Sequence, residues 1–421
     1  MKIRPFAFAA CAALVASVAA TSVAMAAEPS AHWVTAWATA LQPIPQRAQL
    51  PALYRAPDVD ERTVRQIVYP TLDGQTARIH LSNEYGRGAL VIRALAIAPS
   101  AGGATAQASH EATVTFGGHR GVSVPPGGQI DSDPVPIEIA AGRPYAISAY
   151  MGADQSMGGW HRVANQLNYV SAPGNHVDDA DGRAYERRFT QSAWVTALTV
   201  DAPQGWTVAA IGDSITDGMR STLNANRRWP DAFARRLRGD GHTNVAVIDL
   251  GISGNRLLSD SPCYGDALER RFGRDVVAHP GVRTAILLVG INDINFQSMP
   301  PRAGLDCDAP HTAVTADDLI AGYRRVIAEA HAHRIRILGA TLTPASLPPQ
   351  REAIRLAANR WIRTGGAFDG VVDFDAALRD PADPTRLRRA YDSGDHVHPS
   401  DAGYAAMGAA VPIAALAPTT R

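Results

Sequence analysis

Val208-Ala209-Ala210-Ile211-Gly212-Asp213-Ser214-Ile215-Thr216-Asp217-Gly218 is the stretch on which the reading of this 421-residue chain turns. Four apolar residues in succession, followed at once by glycine and small polar residues, suit a strand buried on both faces that ends in a tight turn into a helix. Toward the C terminus the same alternation repeats. Apolar runs at Val245–Leu250, Ala285–Val289, Ile335–Ala340 and Val371–Phe374 alternate with helical stretches at Trp229–Leu237, Ala267–Val277, Ala316–Ala332 and Arg351–Thr364. Strand alternating with helix means crossover connections, hence an α/β fold with a parallel sheet and helices on both faces. Ligands of such sheets bind beyond the carboxyl ends of the strands, and four of the five expected strands are read as ending in a polar block.

Toward the N terminus the pattern is different. From His32 to about Val200, short apolar segments (Val64–Leu72, Ala77–Leu81, Leu90–Ala98, Thr113–Phe116, Tyr145–Met151) are separated by turn formers such as Asp73-Gly74, Gly117-Gly118 and Pro125-Pro126-Gly127-Gly128. Many short strands at this spacing, with no helical pattern among them, predict an all-β sandwich or jelly-roll-like domain. The change falls around Ala202-Pro203-Gln204-Gly205. The expected organisation is therefore a leader at 1–26, a β-rich domain at 27–203 and an α/β domain at 204–421.

The leader follows from Lys2 and Arg4, the apolar stretch Phe6–Val23 and the small-x-small motif Ala24-Met25-Ala26, which together predict a secretory signal peptide. The competing reading is a retained anchor, against which stand an alanine-rich composition and the polar Glu28-Pro29 that follows. A secreted or periplasmic protein is expected, with no membrane span once the leader is removed. The mature chain then holds two cysteines, Cys263 and Cys307, the even number that suits an oxidising compartment. Paired, they would close a loop worth about 4 kcal/mol in the chain-entropy picture; unpaired, they would be two buried thiols. They and the nearby histidines show no zinc-like spacing, so no metal is expected.

Charge narrows the function further. Lys plus Arg equals Asp plus Glu at 40 each, and a neutral chain lacks the basic footprint that phosphate backbones require, so nucleic acid is not an expected partner. Lys2 is the only lysine. Without it, Schiff-base chemistry and P-loop phosphate binding have no amine to use.

The polar blocks carry the chemistry. Ser214, in the turn between strand and helix, is exposed near a helix N terminus, where the field favours developing negative charge; as Gly212-Asp213-Ser214 alone it could equally be a helix cap. Gly251-Ile252-Ser253-Gly254-Asn255 offers a glycine able to aim its amide at a neighbouring site. Asn292, in Gly290-Ile291-Asn292-Asp293, can hold an amide N–H toward an oxyanion. Near the C terminus, Asp395-His396-Val397-His398 places a carboxylate where it can fix the tautomer of His398; His396 is read as a bystander or a substrate-facing residue.

These four blocks, in this order over residues 206 to 415, resemble the signature blocks of the SGNH hydrolases, also called GDSL esterases and lipases. The resemblance implies a flavodoxin-like three-layer fold, a serine esterase mechanism and no cofactor. It also implies Ser214 as nucleophile, His398 as general base and acid, Asp395 as its orienting partner, and an oxyanion hole made by Gly254, Asn292 and the Ser214 amide. The β-rich half, opening with Trp33-Val34-Thr35-Ala36-Trp37, resembles an extra domain found in an exported bacterial branch that includes acetylxylan-esterase-like members.

No long apolar insertion separates the blocks, which favours a small or polar acyl ester, such as an acetyl group on an oligosaccharide, over a lipid interface. Trp160, read as lying in an exposed loop, forms with Tyr169 and Tyr185 a candidate sugar-stacking surface, against the alternative of core packing. The Gln297–Ala313 loop is placed to wall the pocket. Two other functions are weighed: a longer-chain lipolytic acylhydrolase or thioesterase, and a glycan-binding protein whose α/β half is inactive.

Overall fold

Val208 to Ile211 do form a strand shielded from solvent along its length, and the C-terminal half is built around it. The computed structural model describes residues 1–2, 31–47 and 49–416, so the expected leader lies outside the described residues apart from Met1 and Lys2. In the C-terminal half, β1 (Trp206–Gly212), β2 (Val245–Gly251), β3 (Val282–Leu288), β4 (Arg336–Ala340) and β5 (Gly370–Val372) form one sheet in the order β2-β1-β3-β4-β5. Every neighbouring pair is parallel. This is the flavodoxin-like order, whose direction of growth reverses between β1 and β3 and opens a crevice there.

The helices are α1 (Ser214–Asp217), α2 (Trp229–Gly239), α3 (Leu268–Phe272), α4 (Ile291–Phe296), α5 (Ala316–Ala332), α6 (Pro349–Thr364), α7 (Phe374–Leu378) and α8 (Asp401–Ala410). Helix α5 illustrates why they form. Thr315 and Asp318 close a reciprocal cap, and Leu319, Tyr323, Val326, Ile327 and Ala330 recur on one face, which is the buried one. α2 packs on α8, and α5 on α6.

Two expected elements differ. Ala267–Val277 is not one regular helix, because α3 passes at Gly273 into a wider π-type turn over Gly273–Val277. The expected strand Val371–Phe374 ends at Val372, because the Asp373 side chain accepts the Ala376 amide and opens α7.

In the N-terminal half the strands form two main antiparallel sheets, of five and eight strands, and a two-stranded antiparallel pair, Gln42–Pro43 with Gly159–Trp160. The smaller is centred on Gly74–Ser82 and Val195–Asp201; the larger on Arg62–Val68, Leu90–Gly102 and Tyr145–Met151. Their inner faces share one core, with Ala77, Ile79 and Leu81 meeting Val64, Ile97 and Ile147. The two halves are joined closely within a single compact unit, His32–Arg421. Thr207 Oγ1 donates to Thr35 O at 2.8 Å, and Thr71 Oγ1 bonds both the amide and the carbonyl of Val247 at 2.9 Å. Ala38, Ala40 and Ala197 pack into the α/β core, while Ala246 of β2 belongs to the β-rich core. No helix among the described residues is long and apolar enough to cross a membrane.

Candidate active site

Ser214 is the first residue of α1, directly beyond the end of β1. Asp213 caps this single turn by accepting the Ile215 amide at 3.0 Å, and Gly218 ends it at φ 82°. Gly212 has a steric reason to be glycine: a Cβ there would lie 2.2 Å from Leu288 O, so only a bare backbone lets β1 end against β3. Burial pushes the Asp213 carboxyl up to about 7.

Asp395 and His398 come from the loop between α7 and α8, not from the end of a strand. Three strand ends therefore carry the polar blocks, those of β1, β2 and β3, where four were expected. The loop is shaped by Asp395 Oδ1, which accepts the amides of Val397 and His398 at 3.1 and 2.8 Å, and by Ser400, which caps α8 through the Gly403 amide. It delivers His398 so that Nε2 lies 2.8 Å from Ser214 Oγ and Nδ1 lies 2.8 Å from Asp395 Oδ2. Burial would raise the Asp395 carboxyl, but the bonds from the His398 amide and ring outweigh it and hold the group well below the usual carboxylate range. His396 turns away, with φ 65°, its ring exposed and its Nδ1 2.6 Å from Asp392 Oδ2.

Gly254 and Asn292 are brought together by one hydrogen bond: Asn292 Nδ2 donates to Asn255 O at 3.0 Å, which leaves one N–H of that amide group. Gly254 has φ 86°, and a Cβ would fall 2.4 Å from Tyr264 Cγ, so the position requires glycine both for conformation and for space. Neither the Ser214 nor the Gly254 amide donates to another protein group among the described residues.

Several contacts that support this arrangement have no local signature in the sequence, although Asp293 itself stands in one of the four blocks. Asp293 accepts the amides of Leu257 and Leu258 at 2.8 and 3.0 Å, fixing the chain just beyond Gly254-Asn255. The fully buried Arg271 reaches Gly212 O, Leu250 O and Asn255 Oδ1, tying together the ends of β1 and β2. Arg220 Nε lies 3.1 Å from Asp395 Oδ2, the oxygen that also meets His398. Each of these contacts joins segments distant in sequence, and no local pattern announces them.

Three sequence expectations on substrate recognition can now be placed. Trp160, Tyr169 and Tyr185 are all buried, so Trp160 is not a loop residue open to solvent and the three do not form a stacking surface. Tyr169 and Tyr185 share a small cluster with Ile67 and Ala146, whereas Trp160 packs in the main β-rich core. The Gln297–Ala313 loop does lie beside the Gly254–Arg256 segment. The Arg256 guanidinium bonds Asp308 O and Pro310 O at 3.1 and 2.7 Å, and the Phe296 ring sits 5.7 Å from Tyr264, the residue covering Gly254. Cys307 of that loop is disulfide-bonded to Cys263, their Cα atoms 5.1 Å apart.

A serine hydroxyl, an imidazole and a carboxylate in hydrogen-bonded series, at the crevice of a parallel sheet, is an arrangement shared by serine hydrolases. Comparison with known proteins agrees with that class. Residues 210–406 match the model of the GDSL-like Lipase/Acylhydrolase family. That region is a GDSL-like lipase/acylhydrolase domain, which marks the chain as a hydrolase of the esterase type. Among solved structures it is similar to a GDSL-like lipase from Bacteroides thetaiotaomicron, at 20% identity over 50% of this chain and 87% of the other, TM-score 0.34. It is also similar to the acetylxylan esterase Axe2 from Geobacillus stearothermophilus, at 23% identity over 50% of this chain and 94% of the other, TM-score 0.37. No curated protein matches the chain by sequence.

Proposed function

We propose that this hydrolase cleaves carboxylic esters through an acyl-enzyme on Ser214. His398 removes the Ser214 proton as the hydroxyl attacks the ester carbonyl, then returns it to the leaving alcohol; Asp395 holds the ring's tautomer and stabilises the imidazolium. The tetrahedral oxyanion is held by the Ser214 and Gly254 amides and the Asn292 side chain, and water releases the acid in a second cycle. The observation that carries this reading is the continuous series Ser214–His398–Asp395 at 2.8 Å each.

The substrate we assign is a short-acyl or acetyl ester of a carbohydrate, met after export: residues 1–26 act as a secretory leader, 27–203 as a β-rich region and 204–421 as the hydrolase region. Supporting a small or polar acyl group, few large apolar side chains of the described compact unit are exposed: Leu53, Leu223, Met299 and Leu356. A lipid–water interface calls for a contiguous apolar patch. The test is a panel of acetylated oligosaccharides with acetyl, octanoyl and palmitoyl esters, run on wild type and Ser214→Ala in parallel, with organophosphorus labelling followed to the modified residue. Acetyl-ester hydrolysis lost in Ser214→Ala, and label on Ser214, are expected. Preference for palmitoyl would replace the substrate with a long-chain lipid; no label and no turnover would make the chain a binding protein.

A further inference from the structure

A second serine, aspartate and histidine lie behind the site, in an order unsuited to nucleophilic attack. His161, in the β-rich half, follows the short strand Gly159–Trp160 and is almost fully buried, with 3% of its surface exposed. Its Nδ1 lies 2.9 Å from Ala40 O, and its Nε2 lies 2.9 Å from Asp217 Oδ1 and 3.1 Å from Val163 O. Ala40 O and Val163 O, one facing each nitrogen, can only accept. Both ring nitrogens must therefore donate, which makes the ring an imidazolium. Asp217, 1% exposed, is the last residue of α1, and its Oδ2 accepts both the amide and the hydroxyl of Ser253, at 2.8 and 2.5 Å. Ser253 directly precedes Gly254.

We propose that His161 is a positioning residue for ester hydrolysis, a buried cation from the β-rich half that pairs with Asp217 and so fixes the Ser253–Gly254 peptide as an oxyanion donor. The proposal rests on the reading of Gly254 given above and adds to it a requirement outside the hydrolase region.

The physical argument concerns what a carboxylate can do there. Burying a carboxylate without a counter-charge or enough donors is costly, and the Asp217 oxygens serve His161 and Ser253 together only while the His161 cation is present. Without that cation the Ser253 amide and hydroxyl, which both need an acceptor, would lose a fixed partner, and the Gly254 N–H would lose its fixed direction. The charged groups around His161 are Asp217 at the end of α1, Asp249 on β2, and Arg228 at the start of α2, which is paired with Asp231 and lies 3.5 Å from Asp249. Burial acts to lower the pKa of His161, but Asp217 outweighs it and the net direction is upward. A raised value means that the imidazolium, and the order it imposes, are fully present below the ordinary histidine range and are lost as pH rises through the folded-state value.

Nitrogen chemical shifts of the His161 ring in the wild-type protein at neutral pH test the charge directly. Two protonated nitrogens are expected, and a neutral ring overturns the proposal. Kinetics with a soluble acetyl ester test the role. His161→Gln, which keeps a donor without a charge, and His161→Ala are expected to lose about 10- to 100-fold in kcat with KM within about twofold. Wild type should lose rate at alkaline pH, and His161→Gln should not show that decline. Unchanged kcat per folded molecule and an unchanged pH profile in His161→Gln, with only a lower Tm, would make His161 merely structural and overturn the proposal. Asn292→Ala separates the two readings: slow Asn292→Ala with normal His161→Gln sinks the positioning role alone, whereas full activity in both sinks the oxyanion assignment itself.

Discussion

At the scale of single residues, the proposed catalysis depends on groups whose freedom has been removed. Gly254 is the sharpest case. Gly254→Ala would need a left-handed backbone for alanine and space now filled by the Tyr264 ring; kcat should fall by about 10²-fold or more while circular dichroism stays native. Asn292→Ala removes one donor and should cost about 10²- to 10³-fold in kcat. Asp395 sits well below the usual carboxylate range, so it stays ionised as pH falls through the ordinary carboxylate region and its contribution is lost only below it. Asp395→Asn, with the ring's orienting acceptor replaced, should lower kcat by about 10⁴-fold at neutral pH, measured on the same acetyl ester. Ser214, Gly254, Asn292, Asp395 and His398 were legible in the sequence because each sits in a short block where a turn forces small or polar residues. Arg220, Arg271 and His161 were not, since their partners lie far away in the chain and their neighbours show no periodicity.

At the scale of elements, α1 has four residues and cannot be stable by itself. It persists because Asp213 caps it, Gly218 ends it, and Asp217 is bonded from outside. The loops beside it are pinned in comparable ways. The Cys263–Cys307 link encloses a segment of 44 positions, which the chain-entropy picture values at about 4 kcal/mol. Reduction, or the double change Cys263→Ser and Cys307→Ser, should lower the denaturant midpoint and steepen the slope, because the unlinked unfolded chain exposes more surface. Helix α6 carries a buried cation of its own: Arg355 bonds Glu352 at 2.9 Å and Asp375 at 2.7 Å. Arg355→Met leaves two buried carboxylates without that partner and should cost about 3–5 kcal/mol in urea unfolding. The parallel strands were readable as apolar runs because they are covered on both faces. The end of β5 was not, because one aspartate, Asp373, switches the chain from strand to helix within two residues.

At the scale of the whole molecule, the two halves were distinguishable by their periods, two against 3.6, but the depth of their union was not. Nothing local in Thr35, Thr71 or His161 indicates that each reaches into the other half. Thr71 has a consequence for assembly. β2 is an outermost strand, and a bare rim of amides and carbonyls is an invitation to a strand from a second molecule. The hydroxyl seated on Val247 closes that rim at its centre, and the opposite rim, β5, is only three residues long. Growth into ribbons by strand addition is thereby discouraged on both flanks, a guard against self-association built from one hydroxyl and one short strand.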